Sequence, residues 1–226
     1  MKTIIIILFF TNIIFAQHKF SIENGSKIYS AEILIDTCDQ QNCQGLGVIK
    51  LIDKVSKRLV QEFTSEDLYF FLDERNKPTV NIIQLYDEQS PLIFDDFNFD
   101  GTEDLAIRDG NHSGYGGPSY SVYVYNITKK EFVYSLELSE LADAPNLGMF
   151  EVDHERKRIK TFSKSGCCFH TTLEYEVVPR KGLVNVYELE EDAQGGEHVI
   201  VTEKKLIKGK WQVKKKKHKL DDYYKQ

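Results

Sequence analysis

In segment after segment of this 226-residue chain, apolar and polar side chains alternate with a period of two. Tyr29-Ser30-Ala31-Glu32-Ile33-Leu34-Ile35 is one such run, and Gly47-Val48-Ile49-Lys50-Leu51, Leu59-Val60-Gln61-Glu62-Phe63 and Val80-Asn81-Ile82-Ile83-Gln84-Leu85 are others. Tyr120-Ser121-Val122-Tyr123-Val124-Tyr125 and Phe132-Val133-Tyr134-Ser135-Leu136 follow, joined by a hairpin-sized loop at residues 126–130. A strand puts every second side chain on one face, whereas a helix needs a spacing of three to four, so the pattern predicts strands almost throughout. Met149 to Val152 and Ile159 to Phe162 flank a charged turn, and later pairs turn at Pro179-Arg180-Lys181-Gly182 and at Lys208-Gly209-Lys210. β-Branched and aromatic residues dominate the runs, and proline stays at turns and loops. The expected fold is all-β: antiparallel hairpins in a propeller-like or sandwich arrangement, with few short helices. Ser65-Glu66-Asp67-Leu68 and Ser139-Glu140-Leu141-Ala142 are the places where a helical turn is expected.

The chain opens Met1-Lys2-Thr3, continues apolar from Ile4 to Phe15 and reaches Ala16-Gln17. A charged start, a short apolar run and a small residue at its end describe a secretory signal peptide over residues 1–16. The run falls short of the roughly 20 residues that span a bilayer, so no membrane span is expected after cleavage. The expected location is periplasmic or secreted. Beyond the leader, a soft boundary near Glu88-Gln89-Ser90-Pro91 divides an N-terminal β region, 17–90, from a second β region, 91–226. No Gly- or Ser-rich linker separates them, so the two are expected to share one core. The net charge is −6, and losing Lys2 with the leader makes it one unit more negative. That balance argues against nucleic acid as a partner and permits a basic protein partner. The basic run Lys214 to Lys219 reads as a solvated strand end that frays.

Cys38, Cys43, Cys167 and Cys168 suit an oxidising compartment. Three pairings are possible. Adjacent cysteines join each other only through a strained bridge, which favours pairing between the two sites if their loops meet. A metal reading of Cys167-Cys168-Phe169-His170 is disfavoured, because zinc ligands are usually two to four residues apart.

The segment Asp96-Phe97-Asn98-Phe99-Asp100-Gly101-Thr102-Glu103-Asp104 has the spacing of a calcium loop. Ca²⁺ takes six to eight oxygens, and alternate residues of a tight loop can direct Asp96, Asn98, Asp100 and Asp104 inward. Thr102 supplies a backbone carbonyl, and Gly101 permits the turn. An EF-hand would need a glutamate at the twelfth position, where Ile107 stands. Leu105-Ala106-Ile107 reads as a strand, so the loop is expected to join two strands and to bind Ca²⁺.

The next stretch, Arg108 to Tyr120, carries four glycines and a proline between strong strands. Long loops in compact domains are usually functional or disordered. An ordered, protruding recognition loop is expected, with His112, Ser113, Tyr115, Ser119 and Tyr120 as its contact residues. Residues 94–107, this Gly-rich loop, Ser119 to Tyr125 and Ser165-Gly166-Cys167-Cys168-Phe169-His170 together resemble a family of exported bacterial proteins. That family accompanies secreted peptidoglycan hydrolases in Xanthomonas-type IV secretion, as immunity proteins that inhibit them. It is similar in fold to periplasmic inhibitors of invertebrate-type lysozyme, and its calcium loop is shared with FG-GAP, integrin-like repeats. The resemblance covers roughly residues 90–180. It implies a calcium-containing, propeller-like β fold that blocks a cell-wall glycan hydrolase with a loop. The lysozyme inhibitors carry Ser-Gly-x-Tyr on that loop, and Ser113-Gly114-Tyr115 is one residue shorter.

A catalytic role finds little support. His112 beside Ser113, and His170 beside Cys167, sit in no nucleophile motif, and sequence neighbours rarely form a triad. The expectation is therefore a non-enzymatic, calcium-stabilised inhibitor with a protein partner, a peptidoglycan hydrolase. A carbohydrate-binding or adhesion module of integrin-repeat type is the second reading and a hydrolase the third. The calcium motif occurs once, whereas a calcium-studded propeller would repeat it.

Overall fold

The computed structural model describes residues 18–179 and 181–225. The expected signal peptide lies outside them. The described residues form three antiparallel sheets, each a meander of neighbours in chain order. The first contains β1 (His18–Ile22), β2 (Tyr29–Cys38), β3 (Asn42–Asp53) and β4 (Leu59–Phe71). The middle sheet contains β5 (Leu92–Asp95), β6 (Asp104–Arg108), β7 (Tyr120–Asn126) and β8 (Glu131–Tyr134). The third contains β9 (Glu151–Asp153), β10 (Arg158–Ser165), β11 (Phe169–Val178), β12 (Gly182–Asp192), β13 (His198–Ile207) and β14 (Lys210–Lys219). Two short helices, α1 (Leu136–Leu141) and α2 (Leu220–Tyr223), complete the described residues. Among the described residues no sheet closes into a barrel, and the arrangement is an all-β, sandwich-like stack.

Alternation becomes packing most directly in β2, where Ala31, Ile33 and Ile35 are buried. They meet Ile49 and Leu51 of β3, Phe63, Leu68 and Phe70 of β4, and Leu92, Phe94, Leu105 and Ile107 of the middle sheet. The opposite face of the middle sheet presents Ile93, Ala106 and Val122 to a second core. That core also holds Phe97, the α1 residues Leu138 and Leu141, and Phe150 and Ile159 at the near end of the third sheet. The middle sheet is therefore buried on both sides. Its strand β6 is buried at every position, so alternation disappears there and Leu105-Ala106-Ile107 reads as a continuous apolar run.

Two expected elements take other forms. Residues 80–85 make no strand; only a bridge between Ile83 and Gln89 forms. Asn81 and Tyr86 hold left-handed backbone (φ 60° and 66°), which breaks an extended run. Ser65 to Leu68 is strand rather than helix, because β4 continues past a register shift opposite Gly45 and Gly47 and buries Leu68. The expected turn at 139–142 does form, as α1, with Ser135 capping Leu138 N–H. The basic tail is ordered too: Lys214 to Lys219 pair with β13 throughout. Lysines on both faces of an edge strand keep further strands from adding to it.

The disulfides also correct the expectation. Cys38 is bonded to Cys43 and Cys167 to Cys168. Cys38 and Cys43 face each other across the β2–β3 hairpin, while Cys167 and Cys168 lie in the turn from β10 to β11. Each bond thus closes its own turn, and no thiolate is left for a metal.

One side chain fastens the first two sheets together. Asp109 Oδ1 accepts from the Ser65 hydroxyl at 2.9 Å and from Glu66 N–H at 3.1 Å, and Oδ2 accepts from Ser121 at 3.2 Å. Removing the carboxylate takes an acceptor from Ser121 and Glu66 N–H and leaves the Ser65 hydroxyl only the Arg108 carbonyl, at about 1–3 kcal/mol for each buried group left without a partner. Asp109→Ala is expected to lower unfolding free energy by about 2 kcal/mol or more in urea titration. A loss within the ~0.5 kcal/mol typical of surface substitutions would show that Asp109 is not the fastener.

Candidate functional site

The acidic loop connects β5 to β6, as its sequence implies. Gly101 and Phe99 both hold positive φ (89° and 58°), which folds the loop back on itself. Asp96 accepts from Asp100 N–H at 3.1 Å and Gly101 N–H at 2.9 Å. Asn98 Oδ1 accepts from Asp100 N–H at 3.0 Å, and Asp100 Oδ1 accepts from Thr102 N–H at 2.8 Å. Asp104 is fully buried: Oδ2 accepts from Phe97 N–H and Oδ1 from Tyr125 N–H, both at 2.9 Å. It anchors the loop and ties it to β7. Burial pushes the Asp104 pKa up to about 7, against the two backbone donors and with help from the charges of Asp100 and Asp96.

Among the described residues no Lys, Arg or His forms an ion pair with Asp96, Asp100 or Asp104. This uncompensated negative loop has donor chemistry that suits a hard cation. No three His, Cys, Asp or Glu side chains among the described residues converge closely enough to hold a metal by themselves. A cation here therefore has to draw on the Asn98 amide and the Thr102 carbonyl besides the carboxylates.

The Gly-rich segment folds down onto its neighbours instead of protruding. Gly114 N–H donates to Asn146 O at 2.6 Å, and a Cβ at Gly114 would lie 2.7 Å from Pro145 O. Only glycine allows that backbone-to-backbone approach. Three of the five expected contact residues are buried: Ser113, Ser119 and Tyr120. Ser113 Oγ accepts from Gly148 N–H at 3.1 Å, Ser119 Oγ donates to Asp109 O at 2.7 Å, and the Tyr120 hydroxyl donates to Ser90 O at 2.9 Å. Their hydroxyls hold the loop in place and are not offered outward. His112 and Tyr115 remain exposed.

Tyr115 is the most displayed of them, 66% exposed on left-handed backbone (φ 60°, ψ 27°). Its hydroxyl accepts from Gly166 N–H at 2.5 Å, in the turn that carries Cys167–Cys168. The Lys164 ammonium lies 4.9 Å from the Tyr115 ring centroid and 4.4 Å from that of Tyr86. Tyr86 is 63% exposed, also with positive φ. Two exposed tyrosines on strained backbone, with a lysine between them, make a surface that folding alone does not require. Sequence reasoning named Tyr115 but missed Tyr86 and Lys164. These sit 29 residues before and 49 after it, and only the stacking of the sheets brings them together.

No protein-family model matches the chain, and no curated protein matches it. Its fold is shared with a solved structure described as a Xanthomonas type IV secretion system related protein. The two superpose with a TM-score of 0.63 at 22% sequence identity, over 86% of this chain and 92% of that one. At that identity the likeness shows the fold.

The different settings of the loop's two tyrosines predict different costs. Tyr120→Ala removes a buried ring and is expected to cost about 3–5 kcal/mol. Tyr115→Gly removes an exposed ring and relieves a left-handed residue, so it is expected to cost less than ~1 kcal/mol. Urea midpoints of both variants check this. Equal losses would mean that Tyr115 is a structural residue.

Proposed function

We propose that this protein is exported, is stabilised by Ca²⁺ in the loop of Asp96, Asn98, Asp100, Thr102 and Asp104, and inhibits a cell-wall glycan hydrolase. It acts without catalysis of its own. The observation that carries the reading is Tyr115: a large aromatic side chain held outward, on a backbone conformation costly for tyrosine, by a hydrogen bond and a stacked lysine. Such rigid aromatic residues dominate protein interfaces, because little entropy is lost when they are buried. The fold shared with a Xanthomonas type IV secretion system related protein supports the setting. So does the apolar run from Ile4 to Phe15, whose pattern fits a secretory signal peptide. Among the described residues no helix is long and apolar enough to cross a membrane.

The contact surface is narrower than a loop of hydroxyls. His112 and Tyr115 reach the partner from residues 110–120, while Ser113, Ser119 and Tyr120 keep the loop rigid. A glycosidase cleft holds an acid and a carboxylate, and the Tyr115 hydroxyl and the Lys164 ammonium are suited to both. Exported lysozyme-like enzymes of basic character would be drawn to a chain of net charge −6.

For calcium, the chain's own residues set the test. Asp104 also holds Phe97 and Tyr125 N–H, so its loss destabilises the protein with or without a metal. Asp100 is exposed and is the cleaner probe. Calcium at 100 times its dissociation constant is expected to add about 2.7 kcal/mol to the wild type. Asp100→Ala should keep nearly its chelator-treated stability and lose that gain. Identical melting of the wild type in calcium and in chelator would remove calcium from the proposal.

For inhibition, Tyr115→Ala is expected to cost on the order of 2 kcal/mol in binding, roughly thirtyfold in affinity. The measurement is residual activity of lysozymes and secreted muramidases titrated with each protein at fixed calcium. Equal inhibition by both would remove Tyr115 as the anchor. If the wild type inhibits none of the panel, the inhibitor reading fails.

A further inference from the structure

Arg108, at the end of β6, is only 6% exposed. Its guanidinium forms no ion pair with any carboxylate among the described residues. Nη2 donates to Asn111 Oδ1 at 2.5 Å. Nε is buried and meets no acceptor. The carbon of the guanidinium lies 4.7 Å from the centroid of Tyr69, which stacks against it. Burial lowers the arginine's pKa, which Tyr120, Tyr69 and the more distant charge of Asp67 only partly oppose. A buried cation with one neutral side-chain acceptor is expensive, and proteins normally pair or expose it. Here it lines a surface depression of ≈ 470 Å³ together with Phe71, Tyr86 and Pro118.

That depression continues into a second one, of ≈ 250 Å³, which shares Tyr86 and Pro118 with it and adds Tyr115 and Lys164. The result is a groove with an unpaired guanidinium at one end, an ammonium at the other and exposed aromatic residues along it. Phe71 is 47% exposed and meets Tyr69 edge-on at 5.3 Å. The groove's two acids are both engaged: Asp87 Oδ1 accepts from Glu88 N–H at 2.8 Å, and Glu88 Oε1 accepts from Thr79 Oγ1 at 2.7 Å. Neither pairs with a groove cation.

We propose that this groove binds an acidic oligosaccharide, with the ring carboxylate or ether-linked carboxylate of one sugar on Arg108 and neighbouring pyranose faces on Tyr86 and Phe71. A carboxylate matches the planar end of the guanidinium and supplies the anionic acceptor that it lacks among the described residues. The apolar face of a pyranose matches an exposed aromatic ring, and exposed rings line both depressions. Lys164, held between Tyr86 and Tyr115, offers a second carboxylate a weaker, solvent-screened contact. The site goes beyond the inhibitor reading and needs no hydrolase.

Two probes separate its parts. One is the cell-wall tetrasaccharide of alternating N-acetylglucosamine and N-acetylmuramic acid, whose muramic sugars carry lactyl carboxylates. The other is chitotetraose, the same chain length without carboxylates. Each is titrated calorimetrically into the mature, calcium-loaded protein with no enzyme present. The acidic tetrasaccharide is expected to bind at least tenfold more tightly than chitotetraose, with the difference shrinking at high salt. Tyr86→Ala, an exposed substitution that spares the core, is expected to weaken it at least tenfold. Arg108→Lys is expected to abolish the preference for the acidic chain if its circular dichroism matches the wild type. Equal binding of the two probes would overturn the carboxylate assignment. Failure of both to bind, or full binding by Tyr86→Ala, would overturn the site. Inhibition of a hydrolase is read separately by turnover, so either proposal can fail while the other stands.

Discussion

The middle sheet is clamped between two apolar cores, and the placement of the acidic loop, Arg108 and Asp109 follows from that. Strand β6 is only five residues long, Asp104–Arg108, yet it is buried throughout. Leu105 and Ile107 pack toward the first sheet, and Ala106 toward the second core. A strand held from both sides cannot rotate or slip, because a one-residue shift would exchange its two apolar faces. Its ends are therefore fixed points. At one end Asp104 holds the acidic loop; at the other, Arg108 enters the groove and Asp109 fastens the first sheet. Charged groups at the ends of a clamped apolar strand are placed accurately because they have little freedom to move.

Much of this was legible in the residues, and the reason is the period. The alternation in Tyr29–Cys38 and Tyr120–Asn126 survives in the fold because each strand has a core on one side. It misleads at residues 80–85, where the apolar positions fit a strand but Asn81 and Tyr86 take left-handed backbone. Asn is among the residues that accept that conformation most readily, so Asn81 gave a local hint; Tyr86 gave none. Ser65 to Leu68 misleads in the opposite direction. A serine followed by acids suggests a helix start, but the β3 glycines opposite open a bulge that lets β4 continue. The cross-strand partner decides the second outcome, and no local window contains it.

The site was legible in one half only. The acidic loop is a local motif, complete within nine residues, so spacing was enough to place it between two strands. The recognition loop is local in sequence but not in use. Ser113, Ser119 and Tyr120 have the chemistry of contact residues, and the fold spends that chemistry on Gly148, Asp109 and Ser90. Which hydroxyl faces inward is set by Asn146 and Pro145, whose carbonyls crowd Gly114 from another segment. Tyr115 escapes because Gly166 N–H, in the β10–β11 turn, and Lys164, near the end of β10, draw it the other way.

The groove cations show how burial and recognition oppose each other. Lys164 is stacked between aromatic rings, and the π-face attraction is worth about 0.5–1 kcal/mol at such exposed sites. That is enough to orient the side chain and too little to satisfy it. Arg108 is different, since its surroundings have removed most of its water. Stacking on Tyr69 and one bond to Asn111 replace only part of that hydration. The fold tolerates the deficit because β6 leaves the arginine no route outward: its own N–H is bonded to Pro91 O at 2.8 Å and its carbonyl accepts from Ser65. A charge kept under-solvated by a rigid strand has more to gain from an incoming carboxylate than a flexible surface lysine does, because its dehydration cost was met on folding. The same clamp that makes the sheet stable thus makes its terminal cation a better receptor.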